Sequence, residues 1–138
     1  RGLGDVYKRQ TQAIQDYSHA INLQPDLLEA YHYRGIVRYG MKDLDGALAD
    51  YNKAISLGLK SSAVYFNRGV IFHQKGQLSD AIESYSRSIE IDPSNARAYY
   101  NRAISKLIVD NYKEALQDLE ISKRLGYSKA AEVISQYY

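Results

Sequence analysis

The chain has 138 residues, with 18 Lys and Arg against 16 Asp and Glu, a formal charge of +2. That near-balance argues against the basic stripe that nucleic-acid binding uses, and the lack of Cys excludes disulfide frameworks, thiolate metal sites and cysteine catalysis. No apolar run approaches the roughly 18 residues that a membrane helix needs, and no secretory leader pattern opens the chain, so the expectation is a soluble segment with cytoplasm and periplasm both open.

In chain order, the first ten residues, Arg1 to Gln10, match nothing that follows and begin without Met. Residues 1–10 read as a non-native scar and are set aside from fold reasoning. Residues 11–27 carry a helix predicted over 11–23, with Ala13, Tyr17 and Ala20 at helical spacing, which reads as the second helix of a truncated repeat. From there the sequence counts in steps of 34: Ala47, Ala81 and Ala115 follow Ala13, Tyr51, Tyr85 and Leu119 follow Tyr17, and Ala54, Ser88 and Ser122 follow Ala20. The first half of each unit keeps the same clock, with Tyr31, Tyr65 and Tyr99, then Arg34, Arg68 and Arg102, then Gly35, Gly69 and Ala103. Six of the 14 Tyr are therefore two core positions copied repeatedly.

Three full repeats are predicted over 28–61, 62–95 and 96–128, each an antiparallel helix pair. The helices fall at about 28–41 and 45–57, 62–75 and 79–91, and 96–109 and 113–125. Gly69 against Ala81 and Ser88 allows close backbone approach, with Tyr85 filling the space beside them. Residues 129–138 form a capping helix, predicted over 129–137, of the kind that covers the last apolar face of a solenoid. The number of repeats and any domains upstream of residue 11 stay open.

The 34-residue period, aromatic-x-x-x-Gly in the first helix, Ala-x-x-x-Tyr-x-x-Ala in the second and the closing Asp92-Pro93 resemble the tetratricopeptide repeat over roughly residues 11–127. The resemblance implies an all-α, right-handed superhelical solenoid of antiparallel helix pairs whose concave face holds a peptide or a partner helix. Two departures stand out. Arg34, Arg68 and Arg102 occupy a position where Leu is usual, and Leu59 and Tyr127 replace the closing Pro. Gly58 and Gly126 precede those two residues, so left-handed glycine caps are expected there. Asp16, Asp50 and Asp118 recur at one position of the second helix, with Ser84 the exception, so Arg–Asp pairing is expected to set how the helices stack.

First-helix side chains line the concave face in the family, and the register assigns that role to His32, Tyr33 and Ile36, then Phe66, Asn67, Val70 and His73, then Arg97, Tyr100, Asn101 and Ile104. His32, Phe66 and Tyr100 make an aromatic row, Ile36, Val70 and Ile104 an apolar row, and Asn67 with Asn101 offers amides to an extended backbone. A chaperone-tail carboxylate clamp, known in one subclass, is incomplete here, with only Asn67 and Arg97 on matching positions.

The expected function is a protein–protein interaction scaffold, with a protein or peptide ligand and no nucleic acid, membrane insertion or small-molecule substrate. Two alternatives are a docking or regulatory arm of an enzyme whose catalytic part lies upstream, and an RNA-binding helical repeat, against which Glu29 and the small net charge argue. Catalysis is not expected, because no phosphate loop, His-Glu-x-x-His, nucleophile elbow or calcium loop is present. No cofactor is expected, and no metal, since His19, His32 and His73 lie on separate helices without an i, i+4 pair.

Overall fold

The computed structural model describes residues 2–138; Arg1, the first residue of the segment read as non-native, lies outside the described residues. The described residues form eight α-helices and no strand: α1 (Gly2–Leu23), α2 (Leu28–Gly40), α3 (Leu44–Ser56), α4 (Ser62–Gln74), α5 (Leu78–Ile91), α6 (Ala96–Ile108), α7 (Tyr112–Arg124) and α8 (Ser128–Tyr137). The chain divides into two compact units, one running through Lys60 and the other Ser61–Tyr138. In the first, α1 packs on α2 and α2 on α3; in the second, each helix packs on the next and α4 also touches α6. Short turns join α2 to α3, α4 to α5 and α6 to α7, so these packed partners are antiparallel pairs.

The predicted helices from residue 28 onward end within about one residue of those observed, inside the normal scatter of helix ends. The first helix is the exception. It was expected to begin at residue 11, but α1 runs unbroken from Gly2. No Pro interrupts residues 2–11, and a helix nucleated downstream gains one backbone hydrogen bond per added residue. That extension buries little: Leu3, Val6 and Tyr7 are exposed, Gln10 is half-buried, and no residue of α1 is fully buried.

Within each pair, close approach is set by one small residue against one large one. A Cβ on Gly35 would stand 2.8 Å from the Tyr51 ring, and one on Gly69 would stand 2.5 Å from the Tyr85 ring. Both rings are fully buried. In the third pair the two roles shift together. Ala103 brings the Cβ and Leu119 gives up the ring, and both sit in one core cluster with Ala115 and Ala130. Volume is thus traded across the interface, as a close-packed interior requires. The serines at the small position of the second helix add polar ties: Ser88 Oγ donates to the Ser62 carbonyl at 2.9 Å, and Ser122 Oγ to that of Ala96 at 2.8 Å.

The repeated arginines are bolts between helices. Arg34 donates from Nε and Nη2 to both carboxylate oxygens of Asp50 on α3, at 2.9 and 2.7 Å, and from Nη1 to Ser18 on α1 at 3.0 Å. Arg38 adds a third donor to Asp50 at 2.9 Å. The second unit repeats the arrangement. Arg102 donates to Asp118 on α7 at 2.8 and 2.6 Å and to Ser86 on α5 at 3.0 Å, and Lys106 joins Asp118 at 2.8 Å. Both aspartates are buried, so each negative charge is met by two cations and three hydrogen bonds. Arg68 differs: its Nε donates to the neutral Ser84 Oγ at 3.1 Å, and its guanidinium lies 4.9 Å from the Tyr65 ring centre. The Arg–Asp pairing expected from the sequence is present within the first and third pairs and also reaches the preceding helix through serine.

Helix ends are closed as the residues dictate. Ser61 and Asn95 cap α4 and α6 by accepting from the Val64 and Ala98 amides, and Asp43 caps α3 by accepting from that of Gly46. The two glycine caps form as expected: Gly58 (φ 107°) and Gly126 (φ 97°) let Leu59 N–H donate to the Ala54 carbonyl at 3.0 Å and Tyr127 N–H to that of Ser122 at 3.1 Å.

Candidate functional site

In the unit Ser61–Tyr138, five residues that the sequence assigns to the first-helix face line one cavity of about 230 Å³. They are Val70 and His73 on α4 and Tyr100, Asn101 and Ile104 on α6, with Gln74 and Tyr85 completing the wall. Tyr85 arrives from α5, because Gly69 leaves room for its ring to lie against α4. Phe66 stands outside this cavity but touches its wall, with its ring centre 5.8 Å from that of Tyr85. The Arg97 guanidinium lies 5.4 Å over the Phe66 ring. Asn67 is half-buried on the same helix and is not part of the lining.

Two side chains are fixed by neighbours behind the wall. His73 Nδ1 lies 2.9 Å from the hydroxyl of buried Ser105, which leaves Nε2 as the nitrogen without a partner among the described residues. The Tyr100 ring meets Tyr127 edge-on at 5.0 Å, and burial, with smaller contributions from Tyr127 and Glu132, raises the Tyr100 pKa above its usual value. Tyr100 therefore keeps its proton near neutral pH and can donate as well as accept.

The remaining assigned residues, His32, Tyr33 and Ile36, lie on α2 in the other unit. His32 stacks on Tyr33 at 5.0 Å, and Tyr33 stacks on Tyr17 of α1 at 6.0 Å. Burial lowers the His32 pKa, which favours the neutral ring. Tyr33 and Ile36 are both exposed. Sequence reasoning missed three residues of the site. Gln74 gave no signal, Tyr85 was assigned wholly to the core, and Tyr127 was read only as a replacement for the closing Pro.

A family profile described as TPR repeat matches residues 69–106, from the close-packing glycine of α4 to the end region of α6. That segment is similar to a tetratricopeptide repeat. Solved structures covering most of the chain share its fold. The crystal structure of MamA is 18% identical, with 88% of this chain and 77% of that chain covered and a TM-score of 0.77. MamA from Desulfovibrio magneticus is 20% identical over 92% and 70%, with a TM-score of 0.75. The Arabidopsis OM64 TPR domain is 26% identical over 79% and 91%, with a TM-score of 0.69. No curated protein matches the sequence significantly. The chain is thus an all-α, TPR-like solenoid, a fold that serves as a protein–protein interaction scaffold and is typically non-enzymatic. Among the described residues, no helix is long and apolar enough to cross a membrane.

Proposed function

We propose that the face formed by α4 and α6 binds an extended peptide or a partner helix, and that the chain is an interaction scaffold without chemistry of its own. We assign the repeats to 28–61, 62–95 and 96–128, with residues 129–138 as the cap. The observation that carries the reading is the cavity, whose lining includes five residues that the family resemblance and the register assign to the groove: Val70, His73, Tyr100, Asn101 and Ile104. An apolar recess with a few polar groups on its rim is the usual form of a binding site. A protein segment is favoured over nucleic acid because, with His neutral, Arg97 is the one formal charge among the face residues Phe66, Asn67, Val70, His73, Arg97, Tyr100, Asn101 and Ile104. His32, Tyr33 and Ile36 hold the same register on α2 and are given the same role in their own unit.

The test is capture of partners by the wild-type chain beside a Phe66→Ala/Asn67→Ala/Tyr100→Ala variant. With circular dichroism showing both folded, the variant should lose most captured partners. An unchanged set of partners on a folded variant removes the proposal.

A further inference from the structure

The wall of the cavity and the Arg97 cation over the neighbouring Phe66 ring together specify what kind of segment fits. Resting on the peptide-binding reading above, we infer that the partner is an extended segment with an apolar side chain of Leu or Phe size and an Asp or Glu two residues from it. The apolar side chain enters the cavity, and the acidic side chain meets Arg97.

Three observations carry this. The cavity measures about 230 Å³ and is walled by Val70, Ile104 and the rings of Tyr85 and Tyr100. An apolar cavity of roughly 150 Å³ already holds a benzene ring, so this one admits a single large side chain with its Cβ. Arg97 is exposed and has no carboxylate partner among the described residues, unlike Arg34 and Arg102, each of which is tied to a buried aspartate. The guanidinium lies over the Phe66 ring at 5.4 Å, a cation–π contact that supplies no carboxylate and so leaves its charge to an incoming anion. Asn101 makes no side-chain hydrogen bond within the described residues, and its amide stands in the cavity wall, free to pair with the backbone of an extended chain.

The spacing follows from two rises. Arg97 precedes Tyr100, Asn101 and Ile104 on α6 by three to seven residues, which at about 1.5 Å per residue puts the cavity centre roughly 7 Å along the helix. An extended chain covers that distance in about two residues at roughly 3.3 Å each, and side chains two apart share one face. One residue therefore separates the acidic and apolar positions, in either chain direction.

The experiment selects random short peptides displayed on phage against the full chain, then titrates synthetic, C-terminally amidated versions of the enriched sequences. The expected enrichment is acidic-x-apolar or apolar-x-acidic. Replacing the acid by its amide in the peptide, or Arg97→Gln in the protein, should each weaken binding about fivefold at low salt, with no further loss when combined. Replacing the apolar residue by Ala should cost about tenfold or more, and Ile104→Trp, which fills the recess, should do the same. The peptide-side changes keep the test valid even where Ile104→Trp disturbs folding. Enriched peptides that are lost on Phe66→Ala/Tyr100→Ala but indifferent to Arg97→Gln and to the apolar truncation would overturn this inference and leave the peptide-binding face standing. Binding that requires a free C-terminal carboxylate would overturn it in the same way. No enrichment, or binding untouched by every variant, would remove both.

Discussion

Asp50 and Asp118 are held in the same way: each receives a bidentate arginine from the helix before it and a second cation one turn further on. Burying a carboxylate is costly unless it is paired and hydrogen-bonded, so the charge and its partners form one unit. Removing Arg102 leaves Asp118 in the interior with Lys106 alone. Arg102→Leu is therefore expected to cost about 3 kcal/mol. Arg68→Leu, which removes a hydrogen bond to the neutral Ser84 and leaves no buried aspartate at that position, should cost clearly less than Arg102→Leu and leave peptide capture intact. Urea unfolding of the two variants, compared at constant m-value, separates these outcomes. Equal losses would show that the aspartate is not what makes the arginine matter.

The glycine–tyrosine pairs offer a second test at this scale. Gly69→Ala gains helix propensity but drives a methyl group into the Tyr85 ring, and overpacking of this kind costs about 1–3 kcal/mol. Joining it to Tyr85→Leu reproduces the Ala103–Leu119 combination of the third pair. The double variant should then lose clearly less than the sum of the two single losses, a coupling that a double-mutant cycle reads directly.

At the scale of elements, the turns inside the three pairs share a backbone that their sequences hide. Lys42 (φ 63°), Gly76 (φ 74°) and Asp110 (φ 61°) occupy equivalent left-handed positions, one repeat apart. Each lets the next residue close the helix: Asp43, Gln77 and Asn111 N–H donate to the carbonyls of Arg38, Phe72 and Lys106 at 2.9 Å. Only glycine enters this region without steric cost. Lys42→Gly is accordingly expected to stabilise the chain by about 0.5–1 kcal/mol in thermal or urea melts. Asp110→Gly should gain less, because it forfeits the hydrogen bond that Tyr112 Oη donates to Asp110 at 2.9 Å. The N-terminal half of α1 is an element of another kind, helical by propagation and without a buried residue.

For the molecule as a whole, the period made most of the fold legible before any coordinates, because a repeat reports its own register several times over. It gave the helix pairs, the small-against-large contacts and both glycine caps. It could not give what occurs once. Residues 2–10 have no copy elsewhere in the chain, so nothing in the register announced that they are helical. The left-handed turns at Lys42 and Asp110 were hidden because Gly76 alone carries the residue type that signals them. In the candidate site, the register named five of the residues that line the recess but not its depth. Tyr85 is buried and yet forms part of the wall, and periodicity says which residues recur, not which edge of a ring is left open. Tyr127 follows the same rule: it stands where Pro93 stands one repeat earlier, and its contact with Tyr100 depends on being aromatic.

The alternation between charged and neutral arginine partners has a consequence for anyone lengthening this chain. Ser18, Arg34, Arg38 and Asp50 return as Ser86, Arg102, Lys106 and Asp118, whereas the intervening arginine meets Ser84. Each arginine finds its aspartate or Ser84 inside its own repeat, whereas Ser18 and Ser86 stand on the preceding helix, two repeats apart. A spliced-in repeat would bring its own aspartate or serine with it. Only a spliced-in pair would also keep the 68-residue spacing of the serines that Arg34 and Arg102 reach on the helix before.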